Sequence, residues 1–216
     1  MLILSSPWLL RSRFRAPHHR GSLLVIPGYT ASDKATWLLR KYLTWLGYRV
    51  EGWQLGRNHG RVEKLLPQLQ LRLVSINQRD GCPPMLVGWS LGGYLARQLA
   101  RDNPTQVAGI ITLGTPVVGG PKYTIVNRHY RRWGYPIEQI EQELAEQNRT
   151  PMPVPVSAFY SLYDGIVHWR ACLDPQASTH QQAVICTHVG MMVSPTLFRQ
   201  LAKELYKLTQ NVSADS

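Results

Sequence analysis

Ser90 is the residue whose sequence context most clearly predicts chemistry. It lies at the centre of the pentapeptide Gly88-Trp89-Ser90-Leu91-Gly92, between a continuous apolar run and a helical pattern. At a sharp turn from a strand into a helix, a serine hydroxyl projects above the sheet, and bulky side chains two residues before or after it would collide with neighbouring elements. Gly88 and Gly92 remove those side chains. We therefore predict that Ser90 is a nucleophile in a nucleophile elbow formed by Gly88, Trp89 and Gly92.

A serine nucleophile needs a base that accepts its proton and a carboxylate that orients the base. His188 follows the last apolar run of the sequence and is the candidate base, whereas the other histidines lie in basic groups or other loops. Asp164 directly follows an apolar run and is the candidate carboxylate. Asp174 is the alternative, although it precedes Pro175, and an Asp-Pro pair is more often part of a turn. The expected catalytic residues are thus Ser90, Asp164 and His188, in that chain order.

The negative charge that develops on a substrate oxygen also needs N–H donors. The helix that begins after Ser90 offers the backbone N–H of Leu91. The second donor should come from the loop after the first predicted strand, Pro27-Gly28-Tyr29, where the N–H of Tyr29 is the candidate. An ordinary Pro-Gly turn is the alternative interpretation of this loop.

Short apolar runs and helical patterns alternate along the chain, which predicts a mostly parallel sheet with helices on both faces. The predicted strands are residues 23–26, 48–54, 85–88, 107–113, 154–160 and 183–186. The predicted helices are residues 35–46, 61–77, 94–100 and 197–208. Pro67 requires the second of these helices either to begin near it or to bend there.

Residues 117–152 interrupt this alternation. They contain a basic stretch and a helical pattern at 136–147, and they end in a proline-rich segment. An insertion between two strands at the carboxyl end of such a sheet is where a lid would lie; a helix that merely covers the sheet is the alternative. We expect one domain, 1–216, whose substrate pocket is walled by aromatic side chains, namely Trp89, Tyr29, Tyr123, Tyr130 and Trp133.

With these residues placed, residues 23–208 resemble the α/β-hydrolase superfamily, and within it the lipase-like and carboxylesterase-like bacterial members. The nucleophile elbow, the order of the triad and the segment Gly114-Thr115-Pro116 carry the resemblance. It implies a minimal α/β-hydrolase fold that cleaves a carboxylic ester through an acyl-enzyme, without a metal or an organic cofactor. Trp89 in the elbow favours a small or acyl-chain ester over a triacylglycerol. Acyl transfer or amide hydrolysis by the same triad is the alternative.

The charge of the chain indicates which kinds of molecule the protein could bind. The chain has 216 residues with 24 Lys+Arg against 13 Asp+Glu, a formal net charge of +11. Such a charge attracts polyanions, and the basic residues form two groups: Arg11, Arg13, Arg15, Arg20, His18 and His19 in the first, and Lys122, Arg128, Arg131 and Arg132 in the second. No nucleic-acid-binding motif accompanies them, so nucleic acid is not an expected partner. A solvated surface without a partner is one interpretation of the charge, and peripheral contact with an anionic membrane is the other. A basic membrane or polyanion binder without catalysis is the rival function.

The expected location is the cytoplasm, with or without peripheral membrane contact. No apolar run is long enough for a transmembrane helix. Residues 1–10 are apolar, but the arginines follow this stretch instead of preceding it, which is unlike a signal peptide. The three cysteines, Cys82, Cys172 and Cys186, are too few and too widely spaced for a disulfide framework or a metal site, although Cys172 and Cys186 could pair in an exported protein.

Overall fold

The computed structural model of the protein describes residues 20–175 and 180–214, and it contains the parallel sheet that the sequence predicts. Within these residues the sheet has six strands in the order β2-β1-β3-β4-β5-β6, and every neighbouring pair is parallel. The strands are β1 (Ser22–Ile26), β2 (Arg49–Gly52), β3 (Met85–Trp89), β4 (Gly109–Leu113), β5 (Val156–Ser161) and β6 (His180–Val184).

Helices cover both faces of the sheet. They are α1 (Trp37–Trp45), α2 (Val62–Asp80), α3 (Leu91–Asp102), α4 (Asn127–Arg132), α5 (Ile137–Gln147) and α6 (Pro195–Ala214). Side chains of α1 and α6 pack on one face with Leu23 and Val25 of β1, and side chains of α2 and α3 pack on the other face with Leu24 and Ile26. Successive side chains of a strand point to opposite faces, so β1 contributes to both cores.

Every predicted strand and helix is present, with bounds that differ from the expected ones at one or both ends. The last strand was expected at 183–186 but is His180–Val184, because its first residues are polar and exposed at the edge of the sheet and no apolar run marks them. Helix α2 begins at Val62 and continues through Pro67 to Asp80, so it does not begin near the proline. The missing N–H of Pro67 leaves the carbonyl of Glu63 without its usual helical donor.

The insertion, residues 117–152, lies between β4 and β5 at the carboxyl end of the sheet. It contains a 3₁₀ helix (Gly120–Tyr123) followed by α4 and α5. Ile137 and Leu144, on the predicted apolar stripe of α5, are buried. The end of the insertion is attached to α3, since the guanidinium of Arg101 donates to the carbonyls of Gln147 and Thr150. In the part of the chain that the structure describes, no helix is both long and apolar enough to cross a membrane.

Candidate active site

Ser90 lies at the turn between β3 and α3 in a strained backbone conformation. Its φ is 55° and its ψ is −123°, in a region that residues with a side chain rarely adopt. Two hydrogen bonds hold this turn: the N–H of Ser90 donates to the carbonyl of Leu113 at 2.8 Å, and the Thr115 hydroxyl donates to the carbonyl of Ser90 at 2.9 Å. The end of β4 and the segment that follows it therefore fix the elbow.

The glycines of the elbow permit close contacts that no larger residue would. A Cβ atom on Gly88 would lie 2.4 Å from the Cα of Gly93, and one on Gly92 would lie 2.2 Å from the carbonyl oxygen of Ile26. A Cβ on Gly93 would lie 2.0 Å from Oγ1 of Thr115. These distances are far below van der Waals contact, which is the steric reason why the turn needs glycine on both sides of the serine.

Asp164 and His188 form a buried pair. Oδ2 of Asp164 lies 2.7 Å from Nδ1 of His188, and the backbone N–H of His188 donates to the carbonyl of Asp164 at 2.9 Å. The other carboxylate oxygen accepts the N–H groups of Ile166 and Val167 at 3.0 and 2.6 Å. A carboxylate with every oxygen engaged in this way fixes the orientation of the imidazole.

The rival acid, Asp174, lies elsewhere. It forms a buried ion pair with Arg97 of α3, and Nη2 of Arg97 also contacts Asn148 of the insertion. The structure thus brings Asp164, rather than Asp174, to His188.

The pair meets the elbow at the end of β4. A Cβ on Gly114 would lie 3.1 Å from Nδ1 of His188 and 3.0 Å from Oδ2 of Asp164, and the φ of Gly114 is +57°. The residue before it, Leu113, accepts the N–H of Ser90. The described residues contain no hydrogen bond between the Ser90 hydroxyl and His188; such bonds are often long without substrate and tighten in the complex.

Trp89 has a different place from the one expected. Its indole N–H donates to the carbonyl of His188 at 3.2 Å, and its ring centroid lies 5.4 Å from that of the imidazole. The side chain is buried in the core beneath α1 and α6. The expectation that Trp89 walls the substrate pocket is therefore wrong, because this side chain points into the core and supports His188 from there.

The two predicted oxyanion donors lie beside Ser90. Leu91 follows it directly, and a Cβ on Gly28 would lie 3.0 Å from the Cβ of Ser90. Throughout residues 20–175 and 180–214, no acceptor is paired with the backbone N–H of Tyr29 or Leu91. Both groups are therefore available to an oxygen atom of a substrate.

Asn58 is a residue of this site that the sequence did not reveal. It is fully buried, and its side-chain amide donates to the carbonyl of Pro27 at 2.9 Å while its oxygen accepts the N–H of Gly60 at 3.0 Å. Its backbone N–H donates to the carbonyl of Ala31 and its carbonyl accepts the N–H of Thr30, on the far side of the predicted oxyanion loop, Pro27-Gly28-Tyr29. Asn58 thus holds the loop Pro27-Gly28-Tyr29 from both ends.

A cavity of about 710 Å³ opens beside the oxyanion loop, lined by Tyr29, His59, Arg61, Trp133 and Tyr135. Tyr29 and Trp133 line it as expected. Tyr130 is buried behind Tyr29, with ring centroids 5.5 Å apart, and Tyr123 packs against Gly119 instead. Burial raises the pKa of the Tyr29 and Tyr130 hydroxyls, and the neighbouring tyrosines add to the effect, so both side chains stay neutral.

Neither a metal centre nor a disulfide is found in the described part of the chain. No group of three or more His, Cys, Asp or Glu side chains there could hold a metal ion. Cys82, Cys172 and Cys186 are free thiols, and burial raises the pKa of the Cys172 and Cys186 thiols.

Known structures with the same architecture are lipases, esterases and other hydrolases. A lipase from Bacillus licheniformis, BlEst2, superposes with a TM-score of 0.68 at 15% identity, over 89% of this chain and 94% of that one. A lipase-esterase related protein from Clostridium acetobutylicum gives 0.64 at 14% identity, over 88% and 95%. Mouse alpha/beta hydrolase domain-containing protein 10 gives 0.60 at 19% identity, over 92% and 91%.

The fold is that of the α/β hydrolases. No protein-family model matches the sequence, and no curated protein matches it either. At these identities the similarity shows the hydrolase fold, and the chemistry has to be argued from the site itself.

Proposed function

We propose that the protein is a serine hydrolase that cleaves a carboxylic ester through an acyl-enzyme. The Ser90 hydroxyl attacks the ester carbonyl while His188 accepts its proton and Asp164 keeps the imidazole in the required orientation. The N–H groups of Leu91 and Tyr29 bind the oxyanion of the tetrahedral intermediate. The C–O bond of the ester then breaks, the alcohol leaves with the proton from His188, and the acyl group remains on Ser90.

Water completes the cycle. His188 removes a proton from a water molecule that attacks the acyl-enzyme, and it returns this proton to the Ser90 oxygen as the carboxylic acid leaves. The same acyl-enzyme would serve acyl transfer or amide hydrolysis, so these reactions differ only in the acceptor or in the bond that is broken. We assign ester hydrolysis because structures of the same fold include a lipase and a lipase-esterase related protein.

One observation carries this proposal. A buried His188–Asp164 pair at 2.7 Å and a strained serine at φ 55° converge on the end of one strand, β4. Backbone strain at a non-glycine residue and the burial of a carboxylate both cost free energy that an ordinary turn does not need. The two free N–H groups beside Ser90 complete the set of groups that acyl transfer requires.

The test combines covalent labelling with turnover. The wild-type protein should react with a fluorophosphonate probe and hydrolyse 4-nitrophenyl esters, and the series from two-carbon to long acyl chains should favour the short ones. Ser90→Ala should lose both activities, whereas Ser75→Ala, a change at an exposed serine of α2, should keep both. Equal behaviour of wild type and Ser90→Ala would overturn the proposal.

A further inference from the structure

The cavity beside the oxyanion loop is lined by aromatic and basic side chains. Its lining contains three aromatic side chains, Tyr29, Trp133 and Tyr135, and two basic ones, His59 and Arg61, but no acidic one. A volume of about 710 Å³ is within the usual range for a small-molecule pocket of roughly 300–1,000 Å³. We propose that this cavity binds a carboxylate carried by the ester substrate, which rests on the proposed function and names its substrate class.

The cavity is within reach of Ser90. Tyr29 is both a wall of the cavity and the residue whose N–H is assigned to the oxyanion, and the preceding Gly28 lies against the Ser90 side chain. An ester whose carbonyl oxygen sits at the Tyr29 N–H can therefore extend one of its two ends past the Tyr29 ring into the cavity. The cavity holds part of the same molecule that is cleaved.

The guanidinium of Arg61 is available to an anion. Neither Arg61 nor His59 has an ion-pair partner within the part of the chain that the structure describes. Two carboxylates of the insertion already have basic partners, since Glu138 pairs with Arg131 and Glu141 pairs with Lys122. Arg61 offers a planar set of donors that matches both oxygens of a carboxylate.

The aromatic walls would hold the apolar part of the same ligand. Trp133 is 56% exposed, and its ring meets that of Tyr29 edge-on at 6.2 Å. Tyr135 packs on the buried Tyr130, with ring centroids 5.1 Å apart. These rings flank the basic side chains, so the cavity combines apolar walls with a positive charge. That combination selects a ligand with a carboxylate on an apolar or aromatic body.

The kinetic test compares matched charged and neutral esters. In one arm the alcohol half differs, 4-carboxyphenyl butyrate against 4-carbamoylphenyl butyrate; in the other the acyl half differs, the 4-nitrophenyl monoester of suberic acid against 4-nitrophenyl nonanoate. We expect the wild type to prefer the carboxylate in one arm, and that arm identifies the half of the ester that occupies the cavity. Added salt should weaken the preference, since the cavity is open to solvent.

Substitutions then locate the charge. Arg61→Gln should lower the charged-to-neutral ratio of kcat/KM by about tenfold, the usual size of a charge-assisted hydrogen bond, and Arg61→Lys should restore part of it. Arg57→Gln removes an equal charge from the same loop at an exposed residue that does not line the cavity, and it should keep the wild-type ratio. No preference in either arm, or the same ratio in Arg61→Gln and Arg57→Gln, would overturn the assignment.

A binding experiment separates this proposal from that of the catalytic activity. Calorimetric titration of Ser90→Ala protein should show that 4-phenylbutyrate binds about tenfold more tightly than the neutral 4-phenylbutyramide, and that Arg61→Gln in the same background abolishes the difference. Selective binding without hydrolysis in the wild type would refute the proposed function alone. Hydrolysis of esters together with equal binding of the two compounds would refute the carboxylate site alone.

Discussion

Asn58 is the residue on which the proposed oxyanion loop most depends. Asn58→Ala would leave the carbonyl of Pro27 and the N–H of Gly60 without their partners inside the protein, at a cost of about 1–3 kcal/mol in unfolding free energy. The loop that carries the Tyr29 N–H would also move. Because loss of one oxyanion donor lowers kcat by roughly 10²–10³, we expect a loss in kcat of about tenfold or more with a smaller change in KM. Ester kinetics and urea unfolding measure the two effects.

A second buried asparagine provides the control. Asn103 is also buried, and its side-chain amide donates to the carbonyl of Leu99 at the end of α3, away from the oxyanion loop. Asn103→Ala should lower the unfolding free energy to a similar degree and leave kcat within about twofold. If both variants lost kcat in proportion to their stability, Asn58 would have no positioning role.

The candidate catalytic residues could be predicted from the sequence, and the residues that support them could not. Ser90 has a local signal in its flanking glycines, and Asp164 and His188 follow apolar runs of the sequence in the order that a triad requires. Asn58 has no such signal, because its side chain bonds to Pro27, 31 positions away in the chain. The sequence favoured Asp164 over Asp174 through the Asp-Pro pair, but the partner of Asp174, Arg97, is distant in the chain and had no signal either.

At the scale of elements, a methyl group added at either of two adjacent glycines of the elbow would meet a different neighbour. Gly92→Ala would place a methyl group 2.2 Å from the backbone oxygen of Ile26 in the central strand β1, which cannot move without disturbing the sheet. Gly93→Ala would place it 2.0 Å from Oγ1 of the Thr115 side chain. Both changes should destabilise the protein by more than about 1 kcal/mol, since overpacking typically costs 1–3 kcal/mol.

A substitution of Thr115 distinguishes the Gly92→Ala variant from the Gly93→Ala variant. Thr115→Ala removes the clashing hydroxyl, so the double variant Gly93→Ala/Thr115→Ala should recover part of the melting temperature lost by Gly93→Ala. The same Thr115→Ala change should give Gly92→Ala no recovery, because its obstacle is backbone. Thermal unfolding of the wild type, the three single variants and the two double variants measures both effects. Strictly additive losses in the Gly93 pair would contradict the close packing of Thr115 on the elbow.

Among the strands, those predicted accurately are the ones with apolar residues on both faces. Strands β1, β3 and β4 lie in the centre of the sheet, every residue is buried, and their sequences are continuous or nearly continuous apolar runs. Strand β6 lies at the edge and begins with His180, Gln181 and Gln182, so its position depends on pairing with β5 rather than on its own sequence. An edge strand of this composition has no apolar pattern to recognise.

At the scale of the whole molecule, the positive charge is partly compensated locally. Within the second basic group, Lys122 pairs with Glu141 and Arg131 pairs with Glu138. In the first group, Arg11, Arg13, Arg15, His18 and His19 lie outside the described residues. Contact with an anionic membrane therefore stays a prediction, whereas the unpaired Arg61 in the cavity gives the excess charge a more specific role at the site.

The order of the strands could not be foreseen, because alternation of strands and helices is compatible with several arrangements of a parallel sheet. In the structure β1 lies between β2 and β3, which places the loop after β1 beside the elbow after β3. The position of the oxyanion loop is thus a property of the topology. Contacts at the opposite, amino end of the same sheet contribute to the stability of the fold instead.

Asp80 joins three elements at that opposite end and should make the molecule sensitive to acid. At the end of α2, its carboxylate accepts hydrogen bonds from Ser22 of β1 and Arg49 of β2, and from Arg79 at 2.7 and 2.6 Å. The Arg79 guanidinium, above all, holds the pKa of Asp80 well below its usual range. The unfolded chain therefore binds a proton at higher pH than the folded one does, and this stabilisation is complete above about pH 5 and is lost as the pH falls below about 4.

Asp80→Asn should accordingly lower the unfolding free energy at neutral pH by about 1–2 kcal/mol, a modest value because Arg49 and Arg79 are partly exposed. The difference from wild type should shrink steadily as the pH falls below about 4, since the unfolded chain then binds a proton at Asp80 that the folded protein binds only at still lower pH. Asp102→Asn, at an exposed acid without an ion pair among the described residues, should stay within about 0.5 kcal/mol of wild type at each pH.

Urea unfolding between pH 3 and pH 7 measures all three proteins. A pH-independent difference would show that Asp80 acts through packing and not through its charge. Ester hydrolysis by folded Asp80→Asn protein should be unchanged, because Asp80 lies at the amino end of the sheet and Ser90 at the carboxyl end.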